Sequence, residues 1–172
     1  LIALAYSLVV AIDAKTWRQL VGLVTAGYAL QNMYFLPLSR SHATLWLNLT
    51  FATYFFVASV SPRGGAWYLH GAAYVGAHSL MFGYLLCLVA AGGGSLAEGF
   101  RVVDITQWGG DVPRAVEASF VLHALPVVLV NLDLWRCCGT LKDAYEGATW
   151  KGSMWSLLSG WLLPAVYQVV ME

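Results

Sequence analysis

The sequence contains little charge. Only 10 % of its 172 residues are Asp, Glu, Lys or Arg, and nine basic side chains balance nine acidic ones. A soluble domain usually carries about 25 % charged residues, so a water-soluble core does not explain this composition. The lack of a basic excess also argues against a nucleic-acid partner, because no stripe of Lys or Arg is present to neutralise phosphates.

Cysteine is scarce as well. The chain has three cysteines, Cys87, Cys137 and Cys138, and an odd number with one adjacent pair is not a disulfide framework. Cys87 lies in an apolar run, where we interpret it as a small buried hydrophobic side chain. No metal site is predicted from these residues.

Long apolar runs account for most of the chain, which is 59 % hydrophobic. A bilayer core about 30 Å thick requires roughly 20 apolar residues in a helix, and only helices or closed barrels satisfy their backbone polar groups in lipid. The runs do not alternate strictly, which favours helices. We therefore predict an all-α fold, one polytopic transmembrane helix bundle over residues 1–172 with five complete helices and the remainder of a sixth at the N-terminus. The predicted helices are Leu1–Ile12, Trp17–Leu38, Ala43–Val60, Ala66–Ala91, Arg114–Trp135 and Trp150–Val170.

The connections between these runs are short, which makes consecutive helices antiparallel neighbours. The exception is Gly92–Pro113, which we interpret as an extramembrane loop with one interfacial turn around Leu96–Val103. Asp111 is expected to cap the following helix, with Pro113 in its first turn. Three small-xxx-small patterns predict close helix packing within this chain or against a partner; they begin at Gly22, Ala72 and Ser156.

Polar side chains inside apolar helices are the best functional clues, because a polar group in hydrocarbon costs free energy unless it has a partner. Thr25, Thr50, His78 and His123 fall near the midpoints of four predicted helices. The simplest interpretation is a layer of interhelical hydrogen bonds, each contributing about 0.6–2 kcal/mol. Near the helix ends, the i,i+3 spacing predicts two structural ion pairs, which are Asp133 with Arg136 and Glu117 with Arg114.

Two chemical interpretations remain beside the structural one. His78 and His123 lie at similar depth on adjacent antiparallel helices, and two neutral imidazoles so placed can ligate one haem iron axially. Alternatively, the Thr25 hydroxyl can act as a nucleophile if His123 is within hydrogen-bond reach as its base. Pro126 follows His123 by three residues, where its ring would kink the helix and free a carbonyl group.

Two segments carry a family resemblance. TWRQLVGLVTAGYALQNMYF (Thr16–Phe35) and HALPVVLVNLDLW (His123–Trp135) resemble two helices of the androgen-induced membrane hydrolases, although Thr25 is one residue out of register when Gln31 is matched. That family cleaves fatty-acid esters of hydroxy fatty acids with a Thr and a His. The resemblance implies that Thr25 and His123 form the catalytic pair.

Three functional hypotheses follow. The first is an accessory or structural subunit of a larger membrane complex, respiratory or otherwise energy-transducing, in the mitochondrial inner membrane. In that role the chain contacts the bilayer, bound phospholipids and other membrane subunits, and no catalytic activity of its own is expected. The second is an intramembrane lipid-ester hydrolase that uses Thr25 and His123. The third is a membrane anchor that binds haem b through His78 and His123.

Overall fold

The computed structural model describes residues 12–35, 43–61, 66–137, 154 and 158, and these residues form helices and turns without a strand. Three long helices come first: α1 (Ala14–Phe35), α2 (Ala43–Val60) and α3 (Ala66–Ala91). The short helix α4 (Leu96–Phe100) continues into a π-helical turn, Arg101–Ile105. The last described helix, α5, consists of Val112–Ser119, a π-helical turn over Phe120–Ala124, and Leu125–Arg136.

The predicted bounds of α2 and α3 are confirmed, and α1 and α5 begin slightly earlier than predicted. Asp13 explains the start of α1, because its Oδ1 accepts hydrogen bonds from the backbone N–H groups of Lys15 and Thr16. The start of α5 matches the predicted signals, since the Asp111 side chain accepts from a backbone N–H of the first turn and a proline follows the cap. The predicted helices Leu1–Ile12 and Trp150–Val170 lie almost wholly outside the described residues.

The predicted loop Gly92–Pro113 contains more helix than expected. Ser95 caps α4 through its hydroxyl group, which accepts from the Glu98 backbone N–H. Gly99 brings the α4 backbone against the end of α3. A Cβ atom at Gly99 would lie 1.9 Å from the Leu88 carbonyl oxygen, so only glycine permits this approach.

The core lies among α1, α2, α3 and the second half of α5. Its fully buried members include Tyr54, Phe55 and Val130, and Trp17 and Val21 of α1 pack against them. The small-xxx-small pattern that begins at Gly22 packs against another helix of this chain, which is one of the two alternatives predicted for it. A Cβ atom at Gly22 would lie 3.1 Å from the Phe56 ring of α2, closer than ordinary contact. The pattern at Ser156 lies outside the described residues.

Two described helices are long and apolar enough to cross a membrane, Leu69–Ala91 and Val112–Arg136, and a shorter apolar helix covers Thr44–Val60. The helices of the bundle, α1 included, leave large apolar side chains exposed on its outer surface. Examples distributed over the helices are Leu23, Val24, Val60, Phe82, Leu86, Val116, Phe120 and Trp135.

Candidate functional site

A buried ion pair connects α1 to α5 at the end of the bundle where α1 begins. Arg18 Nε donates to Asp133 Oδ1 at 2.8 Å, and Arg18 Nη2 donates to Asp133 Oδ2 at 2.9 Å. The Tyr54 hydroxyl of α2 donates to Oδ2 at 2.5 Å, and Arg18 Nη1 donates to the Ala58 carbonyl oxygen at 3.1 Å. The exposed fractions of Arg18 and Asp133 are 3 % and 0 %. This pairing joins three helices and has the geometry of a bidentate structural contact.

This ion pair corrects the sequence-based pairing of Asp133 with Arg136. Two residues three positions apart on one helix were expected to pair, but Asp133 points into the bundle, where Arg18 meets it. Arg136 lies with its guanidinium 5.5 Å from the centre of the Trp17 ring and donates to the Ile12 carbonyl oxygen. The pairing of Arg114 with Glu117 is also wrong: Arg114 lies over the Trp108 ring, 4.9 Å from its centre, and forms no ion pair with Glu117.

A cavity of about 450 Å³ opens at the opposite end of the bundle. We call it the α3–α5 cavity, since those two helices form most of its wall. Most of its surface is apolar, and four polar side chains meet at one corner. Four other polar side chains line it elsewhere: Asn32, Thr44, Ser79 and Gln107. The apolar members include Leu45, Leu47, Leu80, Val103 and Leu122, and the polar corner consists of Tyr84, Asp104, Ser119 and His123.

Asp104 is the centre of the polar corner and is buried. The Tyr84 hydroxyl of α3 donates to Asp104 Oδ2 at 2.9 Å. The Ser119 Oγ lies 2.7 Å from both Asp104 Oδ1 and the Ala115 carbonyl oxygen. These contacts connect α3, the turn after α4, and α5, so Asp104 holds the three walls of the cavity in place. Asp104 falls in the predicted extramembrane loop Gly92–Pro113, and neither its burial nor this cluster was predicted from the sequence.

His123 lies beside this network. Its ring stacks on the Tyr84 ring with centroids 3.8 Å apart and an angle of 7° between the planes. Its Nδ1 lies 3.1 Å from the Ser119 carbonyl oxygen. A carbonyl oxygen only accepts hydrogen bonds, so Nδ1 carries the proton, and in the neutral ring Nε2 is the acceptor. Asp104 and His123 each lie in a π-helical turn, a feature often found at functional sites.

Pro126 leaves a backbone carbonyl group without its helical donor, as the sequence predicted. Proline has no N–H to donate to the carbonyl group four residues earlier, which is that of Leu122. Asn48 of α2 supplies the replacement, since its Nδ2 donates to the Leu122 carbonyl oxygen at 3.0 Å. The freed carbonyl group therefore anchors α2 to α5 at a residue that lines the cavity.

Thr25 and His123, the pair implied by the family resemblance, line different cavities. Thr25 is buried on α1 and faces a space of only about 10 Å³ between α1 and α5, together with Leu122 and Pro126. His123 lines the α3–α5 cavity. The structure therefore does not bring the threonine hydroxyl and the imidazole into one site.

His78 and His123, the pair considered for haem, are also directed to different partners. The His78 Nδ1 lies 2.8 Å from the Tyr74 carbonyl oxygen, and its Nε2 lies 3.2 Å from Asn131 Nδ2 of α5. Both ring nitrogens of His78 thus form hydrogen bonds, and this imidazole does not line the cavity where His123 lies. The arrangement favours the interhelical hydrogen bond that the simplest interpretation predicted, rather than axial ligation by this pair.

Cys87 differs from its expected burial. It is exposed and lines the α3–α5 cavity, because the end of α3 extends past the core. Within the described residues, no group of three His, Cys, Asp or Glu side chains is placed to hold a metal ion.

Comparisons with known proteins add no family assignment to this geometry. A scan against protein-family models, a search of curated proteins and a search of solved structures each found no match. The resemblance to the androgen-induced hydrolases therefore stays a prediction, and the cavity and its residues are the observations that bear on function.

Proposed function

We propose that the chain is an integral, multi-pass membrane protein that binds one amphiphilic lipid in the α3–α5 cavity and serves as an accessory subunit of a larger membrane assembly. Its exposed surface supports the membrane location. Large apolar side chains such as Leu23, Phe82 and Val116 are more than half exposed, and in water such a surface would promote aggregation. In a bilayer, acyl chains or neighbouring subunits cover it.

The observation that carries lipid binding is the α3–α5 cavity itself. Its volume of about 450 Å³ lies within the roughly 300–1,000 Å³ range of sites for small ligands. An apolar wall with a few polar groups in one corner is the usual composition of such a site. Tyr84 and His123 provide the polar groups, while the Asp104 network fixes their positions.

Gly83 permits a direct test, because it lines the cavity and a Cβ atom there would meet nothing within 4 Å. Gly83→Phe adds a phenyl ring at the cavity wall and should obstruct lipid entry without displacing the backbone. Gly27 of α1 is the matched control, since its Cβ would also enter open space and it does not line the cavity. Native mass spectrometry of the detergent-purified proteins should show bound lipid in the wild type and in Gly27→Phe, but not in Gly83→Phe. Equal lipid occupancy in all three proteins would contradict the proposal.

The subunit role is tested on the same samples by native mass in a mild detergent. Defined co-purifying chains would support an assembly. A small homogeneous particle that contains only this chain and lipid would contradict the subunit role and leave lipid binding in place. The mitochondrial inner membrane is the location proposed for this assembly, and fractionation of the source cells tests it.

Lipid-ester hydrolysis is the second candidate, favoured by the presence of His123 in a cavity suited to a lipid. In this candidate His123 Nε2 takes a proton from the nucleophile. Because Thr25 lies at another cavity, hydrolysis by this pair requires α1 and α5 to move relative to one another. His123→Ala and Thr25→Ala should each abolish hydrolysis of a fatty-acid ester of a hydroxy fatty acid if the pair is catalytic. Activity that survives Thr25→Ala would remove the threonine from the mechanism.

A further inference from the structure

A second cavity adjoins the α3–α5 cavity at the same end of the bundle. Its volume is about 360 Å³, and its lining is mainly polar. We call it the polar vestibule. Its lining consists of Tyr28, Gln31, Asn32, Trp108, Asp111, Pro113, Arg114 and Glu117. Asn32 and Trp108 line both cavities, so a polar compartment lies directly beside an apolar one.

The vestibule presents charges of both signs. Arg114 and Glu117 are exposed. In the described part of the chain, the ion pairs are Arg18 with Asp133 and Arg101 with Glu98, so neither Arg114 nor Glu117 is neutralised there. Asp111 adds a second carboxylate, which is already engaged in capping α5.

We infer that the vestibule binds the zwitterionic headgroup of a single-chain phospholipid whose acyl chain occupies the α3–α5 cavity. This inference rests on the proposed lipid binding and names its ligand class. The Arg114 guanidinium suits a phosphate, with which it forms paired charge-assisted hydrogen bonds. The Glu117 carboxylate suits an ammonium group, whereas the Trp108 ring is already in contact with the Arg114 guanidinium and holds it in the vestibule.

The charge balance of the vestibule favours a zwitterion over an anionic amphiphile. A fatty-acid carboxylate would gain Arg114 but would also face the carboxylates of Glu117 and Asp111. A headgroup with one phosphate and one ammonium has an opposite charge available for each. The vestibule adjoins one apolar cavity, at Asn32 and Trp108. A single apolar cavity fits a lipid that has a single acyl chain.

The test uses the full-length chain in detergent and three probes with the same acyl chain: palmitoyl lysophosphatidylcholine, palmitoyl lysophosphatidic acid and palmitate. Quenching of tryptophan fluorescence gives each Kd. We expect lysophosphatidylcholine to bind most tightly. Arg114→Gln and Glu117→Gln should each weaken its binding by about five- to tenfold, and Glu117→Gln should improve the binding of the two anionic probes. Arg101→Gln is the control, because Arg101 is an exposed cation that lines neither cavity.

Equal affinity for the three probes would overturn the inference, as would unchanged lysophosphatidylcholine binding in both vestibule variants. Gly83→Phe separates this failure from failure of the proposed function. If it abolishes binding while Arg114→Gln and Glu117→Gln do not, the acyl chain occupies the cavity but the headgroup site is wrong. If Gly83→Phe leaves the binding of every probe unchanged, the proposed lipid binding fails as well.

Discussion

Asp133→Asn should destabilise the protein strongly, because it leaves the Arg18 guanidinium buried without an opposite charge. The substitution keeps the size and shape of the side chain. It also replaces one carboxylate oxygen with an NH₂ group, which cannot accept the Arg18 or Tyr54 hydrogen bond that the oxygen accepted. Both residues of the pair are almost completely buried, so water does not replace the lost contacts.

The expected loss is about 3–5 kcal/mol of unfolding free energy, the usual cost of removing one member of a buried ion pair. Reversible unfolding in mixed micelles with increasing dodecyl sulfate measures this quantity. Glu98→Gln is the matched control, since it neutralises a carboxylate in the exposed pair with Arg101. Exposed pairs contribute little to stability, so the control should unfold almost as the wild type does.

A double variant distinguishes the cost of an unpaired charge from the contribution of the pair. Replacing both partners with apolar residues, as in Arg18→Met with Asp133→Leu, removes both buried charges together. Buried ion pairs replaced in this way often leave stability unchanged or raise it, so the double variant should be more stable than Asp133→Asn. A loss below about 1 kcal/mol in Asp133→Asn, or a double variant less stable than the single one, would refute the argument.

Three further predictions concern local contacts. Asn48→Leu should lower the unfolding free energy by about 1–3 kcal/mol because it leaves the Leu122 carbonyl oxygen unsatisfied. Adding Pro126→Ala should recover part of that loss by restoring a backbone donor. A double-mutant cycle in the same unfolding assay measures both effects. Gly99→Ala should detach α4 from α3, which hydrogen exchange of the α4 amides would detect as faster exchange. Capping hydrogen bonds, chiefly from the Thr16 hydroxyl, lower the pKa of Asp13 from its ordinary value of 3.8. The stabilisation that Asp13 provides is therefore complete above pH 3.8 and is lost as the pH falls through the lowered pKa. The thermal midpoints of wild type and Asp13→Asn should therefore differ at neutral pH and converge in acid.

The sequence was sufficient for α2, α3 and the start of α5 because their signals are local. The apolar runs of α2 and α3 end where polar residues and glycines begin, and their predicted bounds are confirmed. Asp111 and Pro113 marked the start of α5 through capping chemistry. Pro126 marked a freed carbonyl group, because the absence of an N–H is a property of the residue itself.

The contacts between helices could not be predicted from local sequence signals in the same way. Asp133 has a basic residue three positions away on its own helix, and local spacing favoured that pair over Arg18, which is 115 positions distant. A useful signal was present: Arg18 and Asp133 are opposite charges near helix ends that the predicted topology places on the same side of the bundle. Asp104 gave no such signal, because its burial depends on Gly99 allowing α4 to approach α3.

The carboxylates buried at the two ends of the bundle have different surroundings, and this difference supports placing the proposed ligand at one end. At the Arg18 end, both oxygens of Asp133 have protein partners, and the carboxylate and the guanidinium are buried in the core. At the other end, Asp104 is satisfied, but His123 and Tyr84 line an open cavity. A buried polar group without space around it stabilises the fold, whereas polar groups beside an apolar cavity orient a ligand. Mutations at the Arg18 end should therefore change stability, and mutations along the cavity should change occupancy.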